Sequence, residues 1–220
     1  MKAINVPTTQ IFEFECDLDL LERAFADFKT QSTTWVDNPE MQPNITTLIG
    51  YVDHKNRVPW YHEELFDWMQ SCLDQVSAHT VKVPLAICDS WTTKTEFKQR
   101  SVKHIHSFSV FSGLLYFTEH KASTTIFEYN DHNRERFGKF FTEFTNGKLE
   151  FKPEKGKFLI FPSDIYHYVQ VHTDLKATRY SLSFNTFFDG SISSSNTSML
   201  ENKVITVKDR YLKWKAEQGQ

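Results

Sequence analysis

The feature that most constrains this chain is a series of short strand-like runs. From about residue 81 to residue 188, alternating apolar and polar stretches follow one another with turn residues between them. Side chains of a strand point alternately to opposite faces of a sheet, so each run predicts a half-buried strand. Asn146-Gly147 stands between two runs and indicates a hairpin, because both central residues of that turn need positive φ. Six or more strands with short turns predict an antiparallel sandwich or barrel, which the 20 phenylalanines also favour.

Two amphipathic helices are predicted before the strands. Asp17 or Asp19 is placed to cap the first helix, and the second extends from about residue 62 to residue 77. Apolar residues recur at helical spacing in both, so the expected buried stripes are Leu18, Leu21, Phe25 and Phe28 in the first helix and Leu65, Met69, Cys72 and Val76 in the second.

The remaining segments complete a single predicted domain. Residues 31–60 and 190–198 contain many turn-forming or small polar residues and are expected to be loops that lie over the core. The tail is expected to end in a charged helix. The domain over residues 1–220 then consists of a helical part over residues 1–80, a β core over about residues 81–188 and a tail over residues 189–220.

Charge and cysteine content exclude several classes of protein. The formal net charge of -3, from 25 basic and 28 acidic residues, gives no electrostatic reason for tight non-specific binding to nucleic acid. The distant Cys16, Cys72 and Cys88 predict reduced, mostly buried thiols, not a disulfide framework or a zinc ribbon. No apolar run approaches the ~20 residues that span a bilayer, and the first residues lack an apolar signal region. We therefore expect a soluble cytoplasmic protein with no membrane partner, whose oligomeric state the sequence leaves open.

A histidine pair gives the first chemical signal. His104 and His106 are separated by one residue in a predicted strand, so both imidazoles point to the same face and form an edge suited to Fe, Zn, Cu or Ni. An isolated pair of this kind is more often a surface or hydrogen-bonded pair. Other residues must therefore decide whether it binds a metal.

The last two predicted strands of the core supply those residues. His167 opens the first of them. If the turn between the two strands is centred near Asp174, His167 lies across from Ser181. Residue 169 then lies across from Arg179, so that histidine, serine and arginine share a face. Such a face indicates a lined cavity in which Arg179 grips a carboxylate through two parallel hydrogen bonds. Without the histidines, a solvent-facing strand would explain the same alternation.

These motifs together resemble those of the 2-oxoglutarate- and Fe(II)-dependent dioxygenases, in particular a group of small bacterial and phage 2OG-Fe(II) oxygenases. The resemblance covers residues 85–188, about half of the chain, and depends on four motifs in the same order and spacing. They are Asp89-Ser90-Trp91, His104-x-His106-x-x-Ser109-x-x-Ser112-Gly113-x-x-Tyr116, Gly156-x-x-x-x-Phe161-Pro162-Ser163-x-x-x-His167 and Arg179-x-Ser181-x-Ser183-x-Asn185.

The resemblance implies a fold and a metal centre. The fold is mainly β with flanking helices, and its core is a double-stranded β-helix of the jelly-roll or cupin-like type. His104 and His167 correspond to the first and the distal ligand of Fe(II). His106 stands where the family usually has a carboxylate, so we favour a three-histidine centre. The alternatives are that Glu128 or Asp164 supplies the carboxylate, or that a water completes the triad and His106 holds that water.

The resemblance also implies sites for the other reactants. Arg179 and Ser181 correspond to the residues that bind the far carboxylate of 2-oxoglutarate, and Tyr116 lies where a strand residue can reach the oxoacid. Trp91 and Asn185 are the candidate substrate-contacting residues. No catalytic residue beyond the metal centre is expected.

The predicted function is therefore oxidation of an unidentified substrate, a small molecule or a protein side chain, coupled to 2-oxoglutarate and O2; hydroxylation is the favoured reaction, and another oxidation stays open. Two alternatives stay open. One is a three-histidine dioxygenase of the cupin type that uses no oxoacid, which Arg179 and Ser181 argue against. The other is a non-catalytic jelly-roll module that binds a sugar or a peptide without metal.

Overall fold

A computed structural model describes residues 1–6, 9–30, 48–51, 60–129, 147–194, 197–217 and 219. Its helices are α1 (Leu18–Thr30), α2 (Glu63–His79) and α3 (Val207–Glu217). Its strands are β1 (Lys2–Val6), β2 (Thr9–Glu15), β3 (Leu48–Tyr51), β4 (Leu85–Thr95), β5 (Phe111–Tyr116), β6 (Thr125–Tyr129), β7 (Gly147–Phe151), β8 (Lys157–Pro162), β9 (Tyr166–Val169), β10 (Arg179–Phe188), β11 (Gly190–Ser194) and β12 (Thr197–Asn202).

Two antiparallel sheets form the core. The larger has seven strands in the order β1-β2-β8-β5-β10-β4-β3, and the smaller has three in the order β7-β6-β9. Apolar side chains of β2, β5 and β8 pack against those of β6 and β7, so the two sheets lie face to face. The predicted class is confirmed: the chain is mainly β with flanking helices, and its core is a double-stranded β-helix.

The helices cover the other face of the seven-stranded sheet. The predicted stripe of α2 is buried throughout, and that of α1 is buried at Leu21, Phe25 and Phe28. Leu18 is 53% exposed, so its inclusion in the stripe was wrong; it is the first residue of the helix. Asp17 is the cap, because its Oδ1 accepts a hydrogen bond of 2.9 Å from the backbone N–H of Leu20. None of the helices in the described residues has the length and apolarity needed to cross a membrane.

Strand β10 shows how the sequence divides between the two faces. Leu182 and Phe184 belong to the apolar cluster under the helices, whereas Ser181 and Ser183 face a cavity between the sheets. Gly113 of β5 is the register partner of Phe184. A Cβ atom at position 113 would lie 2.1 Å from Cε1 of Phe184, so only glycine leaves room for that ring.

The predicted pairing of the last two core strands was wrong. Strand β9 pairs with β6 in the small sheet, whereas β10 pairs with β4 and β5 in the large sheet. Strand β9 lies in the small sheet and strand β10 in the large one, so no hairpin register joins His167 to Ser181. Both side chains nevertheless line one cavity, because the two sheets face each other.

The histidine pair also differs from the prediction in its local structure. Strand β5 begins at Phe111, and the segment before it is irregular apart from a single bridge at His104. The two imidazoles still lie side by side, because the chain is locally extended enough to keep residues 104 and 106 on one side.

Two predicted loops had different outcomes. Residues 190–198, predicted as a loop, lie mostly in the antiparallel hairpin of β11 and β12. Small polar residues such as serine and threonine can pair as strands when a partner strand lies beside them. Most of the predicted loop over residues 31–60 lies outside the described residues, but residues 48–51 form strand β3. Residues 140–146, which include the first half of the predicted hairpin turn, also lie outside them.

Candidate metal centre

Three histidines from distant parts of the chain meet at one end of the cavity. His104 and His167 form an isolated antiparallel bridge, in which the backbone N–H of each donates to the carbonyl of the other at 3.0 Å. The Nε2 atoms of His104 and His106 lie 3.2 Å apart. One ring nitrogen from each of the three side chains falls within 4.8 Å of the others. This is the arrangement expected of three ligands that share one metal ion.

Hydrogen bonds determine which ring nitrogen can bind a metal. Nδ1 of His104 lies 2.7 Å from the carbonyl oxygen of Val102, and Nδ1 of His167 lies 2.9 Å from that of Ile165. A carbonyl oxygen only accepts, so both Nδ1 atoms carry the hydrogen. The Nε2 atoms of these neutral rings therefore have lone pairs for a metal. Metal-binding histidines commonly donate the other N–H to a carbonyl in this way.

His106 has acceptors beside its Nδ1 as well. Oδ1 of Asn185 lies 2.7 Å from this nitrogen, and Oγ of Ser112 lies 2.8 Å from it. An N–H on Nδ1 again leaves Nε2 as the free donor atom. The three imidazoles therefore fit a divalent transition metal such as Fe(II) by their hydrogen bonding as well as by their position.

Burial keeps the three rings neutral. It lowers the pKa of His104, and it lowers that of His106 to about 4 together with the neighbouring His104. The pKa of His167 lies well below its ordinary value, first because of burial and then because of the other two rings. Neutral imidazole is the form that binds metal, so protons do not compete for these ligands near neutral pH.

The two alternative carboxylates lie elsewhere. Glu128 forms ion pairs with Lys103 and, at 2.9 Å, with Lys148. Hydrogen bonds from these lysines lower its pKa to about 2. Strand alternation turns Glu128 away from the face of Phe127, whose ring packs near His167. Asp164 is exposed. Within the described residues, the only cluster that meets metal-ligand spacing is the one formed by the three histidines.

The cavity has a volume of about 270 Å³, close to the lower end of the ~300–1,000 Å³ of typical ligand sites. Strands β4 and β10 form one wall, and the histidines form part of the other. The sequence predicted five site residues besides the histidines, namely Arg179, Ser181, Tyr116, Trp91 and Asn185. All of them except Tyr116 line this cavity.

Arg179 is a buried cation on the cavity wall. It is only 1% exposed, and its Nη2 donates to Oγ1 of Thr125 at 3.1 Å while its Nη1 lies 3.4 Å from the carbonyl oxygen of Ser123. Among the residues that the structure describes, its Nε has no hydrogen-bond partner. Within the described part of the chain, no carboxylate forms an ion pair with it. Burial lowers its pKa, but a guanidinium stays charged in proteins. A buried guanidinium with an unused N–H indicates that an anion binds here.

Tyr116 lies beneath this arginine. The centre of its ring is 5.1 Å from Cζ of Arg179, and its hydroxyl donates to Oγ1 of Thr125 at 2.8 Å. Direct contact between Tyr116 and the oxoacid stays a prediction. Ser181, 2% exposed, is the register partner of Tyr116 and lines the cavity.

The two predicted substrate-contacting residues lie on the same wall. The ring of Trp91 is 5.3 Å from that of His106, and Asn185 touches the same histidine through its side chain. Asn185 therefore has a contact within the site that the sequence does not predict.

Sequence reasoning missed three residues that organise the site. Thr125 accepts from both Tyr116 and Arg179, and Ser112 and Ser163 lie in a hydrogen-bonded group beneath His106. The alternation of strand β6 places Thr125 on an inward face and could have suggested it. The serines are part of the motifs quoted above, but hydroxyl contacts between strands cannot be read from spacing.

Comparison with known proteins agrees with this geometry. Residues 89–185 match the family model described as "Putative 2OG-Fe(II) oxygenase". A comparison with curated protein sequences found no match. The matched segment runs from within β4 to within β10 and contains the three histidines and Arg179.

Solved structures share the fold at low sequence identity. A prolyl-4-hydroxylase from Pseudomonas putida has a TM-score of 0.57 and 14% identity, over 82% of this chain and 93% of the other. A prolyl hydroxylase from Trichoplax adhaerens, in complex with a hypoxia inducible factor peptide fragment, has a TM-score of 0.55 and 12% identity, over 81% and 83%. HygX from Streptomyces hygroscopicus, with nickel, 2-oxoglutarate and hygromycin B, has a TM-score of 0.56 and 11% identity, over 81% and 83%.

The fold and the site define an oxidoreductase built on a double-stranded β-helix. Within that class, residues 89–185 match the 2OG-Fe(II) oxygenase family model, and the three histidines suit the Fe(II) that this family uses together with 2-oxoglutarate. The resemblance stated from the sequence motifs is thereby confirmed at the level of the family.

Proposed function

We propose that this protein hydroxylates a substrate C–H or N-methyl group at an iron centre held by three histidines. His104, His106 and His167 are the ligands, each through Nε2. The bound Fe(II) supplies the activation of O2 that couples decarboxylation of 2-oxoglutarate to oxidation of the substrate. The protein supplies positioning, charge and a cavity shielded from water.

One observation carries the proposal: the three imidazoles and the buried, unpaired Arg179 line one cavity. A metal site alone would suit many enzymes. This cavity also contains a desolvated guanidinium with a free N–H. It therefore suits a ligand that binds a metal ion through one end and carries a carboxylate group at the other end. 2-Oxoglutarate has both.

The residues around the arginine define its role. Thr125 and the carbonyl group of Ser123 hold the guanidinium in place, and the ring of Tyr116 supports it from below. Arg179 thereby presents its remaining N–H groups to the far carboxylate of the oxoacid, and Ser181 adds a hydroxyl beside it. A pre-positioned arginine loses little side-chain freedom when the oxoacid binds.

The substrate enters on the side of Trp91. This ring stands beside His106 and limits what reaches the metal centre, and Asp89 and Ser183 line the same region of the cavity. Solved structures of the same fold contain a bound peptide fragment in one case and hygromycin B in another, so both a protein side chain and a small molecule are compatible with this entrance.

The test is anaerobic titration of the Fe(II)-loaded protein with 2-oxoglutarate. We expect a new visible charge-transfer absorption as the oxoacid chelates the metal, and slow formation of succinate once O2 is admitted. The charge-transfer band should require His167, and its appearance at low 2-oxoglutarate concentration should require Arg179.

The same experiment separates the alternatives. Iron binding without any spectral response to 2-oxoglutarate would favour a three-histidine dioxygenase that uses no oxoacid. A protein that binds no iron at all would contradict the proposal and favour a binding module.

A further inference from the structure

A chain of three serine hydroxyls lies beneath His106. Oγ of Ser112 lies 2.8 Å from Nδ1 of the histidine and 2.7 Å from Oγ of Ser163. Oγ of Ser163 lies 2.8 Å from Oγ of Ser109, which in turn lies 2.7 Å from the carbonyl oxygen of Phe111. Ser112 and Ser163 are at most 1% exposed, so water does not replace these contacts.

The carbonyl oxygen of Phe111, at the end of this series of hydroxyls, fixes the direction of the hydrogen bonds between the serines. A serine hydroxyl has one hydrogen, and a carbonyl oxygen has none to give. Ser109 therefore donates to Phe111 and accepts from Ser163. Because the hydrogen of Ser163 is used in this way, Ser112 donates its own hydrogen to Ser163 at 2.7 Å or to Oδ1 of Asn185 at 2.9 Å.

The same reasoning reaches the imidazole. The hydrogen of Ser112 goes to Ser163 or to Asn185, and in both cases Ser112 accepts from His106. Nδ1 of His106 must then carry the hydrogen. Oδ1 of Asn185, 2.7 Å from the same nitrogen, accepts from it as well. The same tautomer therefore satisfies both contacts of Nδ1.

From this directionality we infer that Ser109, Ser112, Ser163 and Asn185 are positioning residues that fix the proton of His106 on Nδ1. They thereby present Nε2, with its lone pair, towards His104 and His167. The inference rests on the proposed function only in taking Nε2 as the metal-binding atom. It also gives Asn185 a role through His106 instead of one in gripping the substrate.

Among the three ligands, His106 depends most on these serine hydrogen bonds. His104 and His167 are fixed by backbone carbonyl groups two residues earlier in the chain, at Val102 and Ile165. Nδ1 of His106 has side-chain partners instead, supplied by β5 and β10, with Ser163 just beyond the end of β8 behind them. Nδ1 of His106 therefore has its hydrogen-bond partners only when the strands of the large sheet have come together.

The test compares Ser163→Ala, Asn185→Ala and the double variant with the wild-type chain. Nitrogen-15 labelled histidine in the metal-free, full-length protein reports by NMR which ring nitrogen carries the hydrogen. Titration with Co(II), followed by its visible spectrum, reports affinity without any turnover. Ser90→Ala is the matched control, because Ser90 is a 3% exposed serine of β4 that pairs with Phe184, whose ring packs under the helices.

We expect His106 to carry its hydrogen on Nδ1 in the wild-type chain and in Ser90→Ala. The double variant should show a large Nε2–H population and bind Co(II) roughly 10- to 100-fold more weakly. Each single variant should lie between. Asn185→Asp keeps an acceptor at the same place and should restore the tautomer in the Ser163→Ala background.

Two results would overturn the inference: a wild-type His106 with its hydrogen on Nε2, or a double variant indistinguishable from Ser90→Ala in both measurements. Another result would separate a failure of the proposed function from a failure of this inference. If Zn(II) leaves the Nε2 signal of an Nδ1-protonated His106 unmoved, the tautomer inference stands and the role of His106 as a ligand falls.

Discussion

The Nε2 atoms of His104 and His106 lie 3.2 Å apart, with their rings stacked at an angle of 21°. Two ligand atoms bound at right angles to one metal ion at ~2.1 Å are about 3 Å apart, so this separation suits a shared metal. The hydrogen bonds of both Nδ1 atoms leave two lone pairs facing each other. Without a cation between them these lone pairs repel, which is a reason for a metal ion to bind.

The first prediction concerns the distal ligand. His167→Ala should remove one of three metal ligands and reduce bound Fe(II) or Co(II) to near zero at micromolar metal, because two ligands hold a divalent ion weakly. Metal analysis after desalting measures this. His79→Ala is the control, since His79 is exposed at the end of α2. Full metal content in His167→Ala would contradict the assignment.

A second prediction concerns the oxoacid. Arg179→Ala should raise the 2-oxoglutarate concentration needed for half of the charge-transfer band, since loss of a charge-assisted contact costs ~1.5–3 kcal/mol, or roughly 10- to 150-fold in affinity. Metal content should stay normal. Arg179→Lys keeps the charge but loses the paired geometry, so it should recover only part of the affinity. An unchanged affinity in Arg179→Ala would remove this residue from the site.

Glu128 provides the contrast to the histidines. Glu128→Gln should leave the Co(II) affinity within about twofold of the wild type, because this carboxylate pairs with Lys103 and Lys148 and lies outside the cluster. Its effect on stability should be below ~1 kcal/mol, as is usual for surface ion pairs. A loss of metal comparable to that of His167→Ala would instead make Glu128 a ligand.

Gly113→Ala should destabilise the fold. The added Cβ would meet the ring of Phe184 at 2.1 Å, and such overpacking typically costs about 1–3 kcal/mol. Urea unfolding followed by circular dichroism measures the difference. The double variant Gly113→Ala/Phe184→Leu should cost less than the sum of its two single variants, because the smaller side chain relieves the same clash. Strict additivity would show that the ring is not the obstacle.

The thiols should be unreactive in the folded protein. Burial raises the pKa of Cys16 to about 12 and that of Cys72 to about 11, so at pH 8 their thiolate fractions are ~0.1% or less. Iodoacetamide at pH 8 should label Cys16 and Cys72 only in denaturant, as mass spectrometry of tryptic peptides would reveal. Cys88 is less buried and should react faster than the other two. Rapid labelling of Cys16 in native conditions would contradict its burial.

The local features of this protein follow from short-range patterns in its amino-acid sequence. The spacing of apolar residues gave the buried stripe of α2, and alternation placed Arg179 and Ser181 on one face of β10. His104 and His106 are separated by one residue, and their imidazoles lie together although the two residues do not lie in a strand. These features follow from the periodicity of the backbone, which nearby residues alone dictate.

Only the tertiary structure decided which distant residues meet. His167 pairs with His104, not across a hairpin with the strand of Arg179, because β9 lies in the small sheet and β10 in the large one. The contact of Asn185 with His106 and the serine chain under that ring likewise arise where β5, β8 and β10 come together. Sheet pairing between remote segments depends on the summed packing of both faces, and periodicity within a single segment contains no information on its partner.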